Sequence, residues 1–199
     1  MDMEHYFSEK QESKLKKKKI SAFLRGNKLE FYTGSGVFSK NRIDRGTELL
    51  IESAIIKPSG KVLDLGAGYG AVGIAVAKAF PKCDAVLSDV NERAVELAEE
   101  NVKLNNLKNV ETIKSSFFEN INENFDAILL NPPQTAGKDV CFRMIEESSQ
   151  HLNRNGTLQV VARHNKGGKT LEKKMAEVFG NVQTIAKGGG YRIYLSVNI

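Results

Sequence analysis

From residue 61 onward the chain alternates between two patterns. Short, nearly continuous apolar runs occupy Lys61–Leu65, Asp84–Ser88, Val110–Lys114, Phe125–Leu130 and Thr157–Ala162. Each is too short for a stable helix and is bounded by Gly, Pro, Asn or Asp, so each reads as a strand buried on both faces. Between them lie segments whose apolar residues fall three and four apart: Ala71–Ala79, Asn91–Leu104, Lys138–Leu152 and Leu171–Phe179. These read as helices, with Asn91 as a cap and Glu92 in the first turn of the second. The last two runs, Val182–Lys187 and Tyr191–Val197, are separated only by Gly188-Gly189-Gly190. Strands joined that closely pair antiparallel.

Strands alternating with helices predict a parallel sheet covered on both faces, with right-handed crossovers. The expected fold class is therefore α/β: a Rossmann-like, doubly wound, seven-stranded, mostly parallel sheet ending in an antiparallel C-terminal hairpin. Upstream, residues 20–32 read as two short strands around Arg25-Gly26-Asn27, and Gly34-Ser35-Gly36 then breaks the pattern. A helix is predicted from Asp44, with Leu49, Leu50, Ala54 and Ile55 on its apolar face. The expected organisation is a basic polar segment at 1–19, a small β extension and helix at 20–60, and the α/β domain at 61–199.

Composition narrows the class. Of 199 residues 41% are hydrophobic and 27% charged, the balance of a protein with a real core. No run approaches the roughly 18 apolar residues of a membrane span, and the N-terminus shows no apolar signal region. The two cysteines, Cys83 and Cys141, lack metal-ligand spacing. No metal and no membrane partner are expected, and the cytoplasm is the expected location. Net charge is +5, and residues 1–60 carry most of it, with 12 basic against 8 acidic side chains. Lys14 and Lys16–Lys19 form the densest run, which suits either a solvated segment or contact with phosphates.

Three constellations carry chemistry. Asp64-Leu65-Gly66-Ala67-Gly68-Tyr69-Gly70 follows a strand and opens a helix. Its glycines let the backbone turn sharply and approach a ligand. Gly66 and Gly68 with Ala71 also fit the looser dinucleotide pattern, with Asp89 the expected distance of about 20 residues on. Asp64 separates the two readings, since a carboxylate there crowds a pyrophosphate and suits a cationic ligand. Second, Ser88-Asp89-Val90-Asn91 places an acid at the carboxyl edge of the sheet, where it can accept from both hydroxyls of a ribose or cap the next helix. Third, Asn131-Pro132-Pro133-Gln134 stops the fourth strand. Two prolines fix the backbone, so the carbonyls of Asn131 and Pro132 and the Asn131 amide become rigid acceptors for one planar NH2 group. Such holding makes catalysis mostly a matter of positioning.

Together these motifs resemble class I S-adenosylmethionine-dependent methyltransferases of the Asn-Pro-Pro branch, over about residues 30–199. Ser35-Gly36-Val37-Phe38-Ser39 and Arg42-Ile43-Asp44-Arg45-Gly46-Thr47-Glu48-Leu49-Leu50 further resemble the segment before the core in ribosomal RNA guanine-N2 methyltransferases and their compact archaeal relatives. The resemblance implies S-adenosylmethionine as cofactor, held by Asp64, Gly66, Ala67, Gly68, Asp89, Val90, Asn91, Ser116, Phe117 and Asn131. It implies Asn131 and Pro132 as catalytic, and Pro133, Gln134 and Phe38 beside the substrate, with Thr47 a further pocket candidate. Residues 61–199 become the methyltransferase domain, and ribosomal RNA the expected partner. Homodimers occur among such relatives, and this sequence leaves oligomeric state open.

Two positions depart from the family. Gln134 stands where an aromatic usually stacks on the target base, and Ser116 where an acid is common. Guanine N2 in ribosomal RNA is the leading substrate. A protein glutamine methyltransferase, a nicotinamide-dependent oxidoreductase and a non-catalytic RNA-binding module with the same fold are the alternatives. His164, at the end of the fifth strand, reads as a loop residue.

Overall fold

The computed structural model describes residues 17–34, 42–133 and 137–199. Phe38, Gln134, Lys14 and Lys16 lie outside them. Nine strands and five α-helices follow one another as β1 (Lys18–Leu24), β2 (Asn27–Thr33), α1 (Arg45–Ser53), β3 (Lys61–Leu65), α2 (Ala71–Ala79), β4 (Asp84–Asp89), α3 (Glu92–Leu104), β5 (Val110–Lys114), β6 (Phe125–Leu130), α4 (Lys138–Gln150), β7 (Leu152–Arg163), α5 (Lys169–Phe179), β8 (Gln183–Gly188) and β9 (Tyr191–Val197) among the described residues.

The large sheet has the order β5-β4-β3-β6-β7-β9-β8. All neighbours from β5 to β7 are parallel, and β9 runs antiparallel to both β7 and β8. The C-terminal hairpin thus inserts its second strand beside β7 and leaves β8 at the edge. Strand order reverses direction at β3, so the crevice for a ligand opens at the carboxyl ends of β3, β4 and β6. Val62, Leu63 and Leu65 in β3 are all but fully buried, because helices cover both faces. One core gathers α1, α2 and α3 on one face; the other gathers α4 and α5 on the opposite face.

Helix α2 is buried nearly all round and lies very close to the sheet. A Cβ on Gly73 would stand 2.4 Å from Leu87 Cδ1, so the approach requires glycine there.

The β1–β2 hairpin is a separate two-stranded sheet. Its attachment is polar and specific. Asn101 Oδ1 accepts from Tyr32 N at 2.6 Å and its Nδ2 donates to Tyr32 O at 2.9 Å. Asn105, one turn on, makes the same pair of bonds to Glu30, at 3.2 and 2.8 Å. Two residues along a strand and four along a helix both span about 6–7 Å, so the repeats match. The two amides therefore cap the free edge of β2. Gln159 in β7 clamps Ile55 after α1 in the same way, at 2.9 and 2.7 Å.

Three boundaries differ from expectation. Helix α1 ends at Ser53, so Ala54 is its cap and Ile55, expected on its apolar face, lies beyond it and is 56% exposed. The helix predicted to reach Leu152 ends at Gln150, and Leu152 instead opens β7 by pairing with Phe125. The register then shifts, with Asn155 in the left-handed region at φ 61°, and regular pairing resumes at Thr157. The predicted strand of 157–162 is the regular part of this bulged one. Helix α5 begins at Lys169 rather than Leu171, after a wide turn over His164–Gly168.

Candidate active site

The loop after β3 folds back on the end of β4. Gly66 N and Ala67 N both donate to Ser88 O, at 2.8 and 2.9 Å. Gly66, Gly68 and Gly70 have φ of 73°, 58° and 89°, a left-handed course that glycine follows without strain. Asp89 locks the loop: its Oδ2 accepts from Gly68 N at 2.8 Å and its Oδ1 from Asn91 N at 2.9 Å. With the Val90 N–H as a third donor, the carboxylate keeps one of its roughly four acceptor sites for a ligand.

Asp64 is buried near the end of β3, 3% exposed, and accepts from Gly73 N in the first turn of α2 at 2.8 Å. Burial pushes its carboxyl up to about 7, with the neighbouring Asp89 adding to the rise and the Gly73 bond opposing it. Asp89 is also raised, burial outweighing the bonds from Asn91, Gly68 and Val90.

These groups border a cavity of about 380 Å³, within the usual range for small-ligand sites. Asp64, Gly66, Ala67 and Gly68 line one side of it, and Asp89 with Val90 another. Ser116 and Phe117 follow β5 along a third wall; Phe117 is left-handed at φ 51° and carries the Arg143 guanidinium 4.0 Å from its ring centre. Asn131, Pro132 and Pro133 line the cavity where β6 ends. Asn91 does not line the cavity: it is fully buried and caps α3 by accepting from Arg93 N. His164 pairs with Tyr194 Oη at 2.8 Å, and Lys17 and Lys19 of the basic run pair with Glu100 and Glu30.

Two of the other lining residues have no local signal in the sequence, while Thr47 and Ser88 belong to the motifs already singled out. Val140 and Met144 enter from α4 on ordinary apolar helix positions. Thr47, from α1, sits 2.9 Å from Asn131 Nδ2. Ser88 also lines the wall; its Oγ is buried with no hydrogen-bond partner.

The donor set suits one kind of ligand. Two carboxyls raised by burial are relieved by a cation, which a pyrophosphate is not. An unpartnered buried hydroxyl and a glycine loop complete a cradle that fits S-adenosylmethionine, with its ammonium, sulfonium and ribose. A doubly wound sheet with this cradle at its reversal point and Asn-Pro-Pro at the next strand defines an S-adenosylmethionine-dependent methyltransferase.

The chain belongs to the methyltransferase small domain family, whose model matches residues 28–195. It is 40% identical to the uncharacterized protein YbxB of Bacillus subtilis over 96% of both chains. It is 34% identical to the ribosomal RNA small subunit methyltransferase C of Haemophilus influenzae over 83% of this chain, and spans about half (50%) of that protein's length. The T. thermophilus 16S rRNA N2 G1207 methyltransferase (RsmC), solved in complex with AdoMet and guanosine, is 26% identical with a TM-score of 0.81, covering 94% of this chain and 52% of that one. No helix among the described residues is long and apolar enough to cross a membrane.

Proposed function

We propose that this methyltransferase acts on the exocyclic N2 amine of a guanine in ribosomal RNA. The observation that carries this reading is Asn131-Pro132-Pro133 on the cavity wall, in a chain that matches an N2-guanine methyltransferase of 16S rRNA over 94% of its length.

In this reading Asp64 faces the cationic end of the cofactor, Gly66, Ala67 and Gly68 its methionine part, Asp89 and Val90 its ribose, and Ser116 with Phe117 its adenine. S-adenosylmethionine supplies a methyl group on positively charged sulfur. The protein supplies geometry. Asn131 Oδ1 and the Pro132 carbonyl accept the two N–H bonds of the target amine, which lie in the plane of the base. Its lone pair is then directed out of that plane, toward the cavity. Proline rings keep the carbonyl from turning away. A nitrogen that has gained a methyl group is acidic and loses its proton without a strong base. Pro133 borders the base.

The test is transfer of labelled methyl from S-adenosylmethionine to small-subunit particles, free ribosomal RNA, transfer RNA and a release-factor protein. Label in N2-methylguanosine from ribosomal RNA supports the reading. Label in protein or in another nucleoside keeps the enzyme class and discards this substrate.

A further inference from the structure

We infer that Asp44 and Thr47 are positioning residues that fix which end of the Asn131 carboxamide faces the target amine; the inference rests on the amine-methylating reading above. The two ends of a carboxamide have nearly the same shape, but only the oxygen accepts a hydrogen bond. An NH2 group presents donors, so a carboxamide turned the wrong way repels it.

The structure contains a device that sets the direction. Asn131 Nδ2 lies 2.9 Å from Thr47 Oγ1, and that hydroxyl lies 2.9 Å from Asp44 Oδ2. A carboxylate only accepts, so the Thr47 hydroxyl donates to Asp44 and keeps a lone pair for Asn131. The group facing Thr47 must therefore be the donating nitrogen, which leaves Oδ1 for the substrate. Asn131 Nδ2 is also 3.5 Å from Asp44 Oδ2, where an amide oxygen would be repelled.

Asp44 is itself held on every side. It caps α1, accepting from Gly46 N at 3.2 Å and Thr47 N at 2.9 Å. Its Oδ1 accepts from Tyr191 Oη at 3.2 Å, and Tyr191 Oη accepts from Arg163 Nε at 3.0 Å. All these donors point toward one carboxylate, so the network has a single polarity. Gly46 makes room for it: a Cβ there would stand 2.7 Å from the Tyr191 ring. Asp44, Gly46 and Thr47 thereby act as one unit, and α1 completes a site built on the sheet.

Two substitutions test this. Thr47→Val keeps the shape and removes the hydroxyl. Asp44→Asn keeps in its Oδ1 the cap acceptor of Gly46 N, and gives up the acceptor at Oδ2, which serves both Thr47 N and Thr47 Oγ1. It adds a donor there, which satisfies the Thr47 oxygen and lets that hydroxyl donate to Asn131 Oδ1, turning the amide round. Both variants are expected to lose about 10- to 100-fold in kcat for methyl transfer to ribosomal RNA. The Kd for S-adenosylmethionine shifts far less than kcat, and Thr47→Ser restores most of the rate. In 15N NMR the Asn131 side-chain NH2, assigned with Asn131→Ala, shows a bonded, exchange-protected proton that Thr47→Val abolishes. Wild-type kcat in Thr47→Val, a parallel loss of cofactor affinity, or an unchanged Asn131 signal would each overturn the inference. If the wild-type protein methylates no RNA, the substrate reading fails, and the NMR comparison still decides the lock.

Discussion

Replacing Asp64 by asparagine separates its burial from its charge. The folded protein raises this carboxyl from 3.8 to about 7. Each unit corresponds to about 1.4 kcal/mol, so the ionised side chain costs the folded state about 4 kcal/mol above pH 7. Between pH 4 and 7 the folded state binds more protons than the unfolded chain. Stability of the ligand-free protein should therefore fall as pH rises through that window and level off above it. The substituted carboxamide retains an acceptor for Gly73 N but has no charge to desolvate. Asp64→Asn should flatten this pH dependence and raise stability at pH 8, most of the gain being absent at pH 4. A cationic cofactor beside Asp64 acts in the opposite sense. Its binding should release a proton below pH 7, and its affinity should rise with pH until about 7. Without the charge, affinity at pH 8 should fall by about 1.5–3 kcal/mol, on the order of 10- to 100-fold. Urea denaturation from pH 4 to 9 and calorimetry in buffers of different ionisation enthalpy measure both. Equal pH slopes in the two proteins, or unaltered affinity for S-adenosylmethionine at pH 8, would refute the reasoning.

Asn131→Ala should lower kcat far more than it weakens S-adenosylmethionine binding; equal losses in single-turnover kinetics and calorimetry would remove its positioning role. Asn101→Ala leaves Tyr32 and Tyr69 backbone groups without their amide partner, and should cost about 2–4 kcal/mol in urea denaturation; a change under about 0.5 kcal/mol, the range of neutral surface substitutions, would show that the Asn101 amide does not hold the β1–β2 hairpin. Exposed Lys169 and Lys187 flank His164, where with Arg192 they help burial hold its imidazole below the ordinary value. Charge reversal at both lysines should weaken RNA binding, reduce its salt slope by about 2, and leave cofactor affinity intact; an unchanged slope would place the RNA elsewhere.

The pattern of legibility has a physical cause. Asp64, Asp89 and Asn131 stand out in the sequence because each lies at or next to the end of a buried apolar run, and parallel strands bring their carboxyl ends to one edge. A residue's position on such a strand fixes its place in the site with little further information. Leu152 reads as helical because a helix end and a strand start share one apolar residue there, and only the partner Phe125 decides between them. The amides of Asn101, Asn105 and Gln159 are hidden for a stronger reason. On a helix or strand face a polar side chain reads as solvated until its partner is known, and Gln159 finds Ile55 from 104 residues away. The Asp44–Tyr191 bond spans 147 residues. Asp44 carries a local signal only as a helix start, which is half of what it does. Most side chains proposed to touch ligand are announced by the backbone that carries them, Val140 and Met144 excepted. Those that orient them depend on tertiary neighbours: the motif alone offers the Asn131 amide as an acceptor, and the residues inferred to turn its oxygen to the substrate, Thr47 and Asp44, come into view only in the fold.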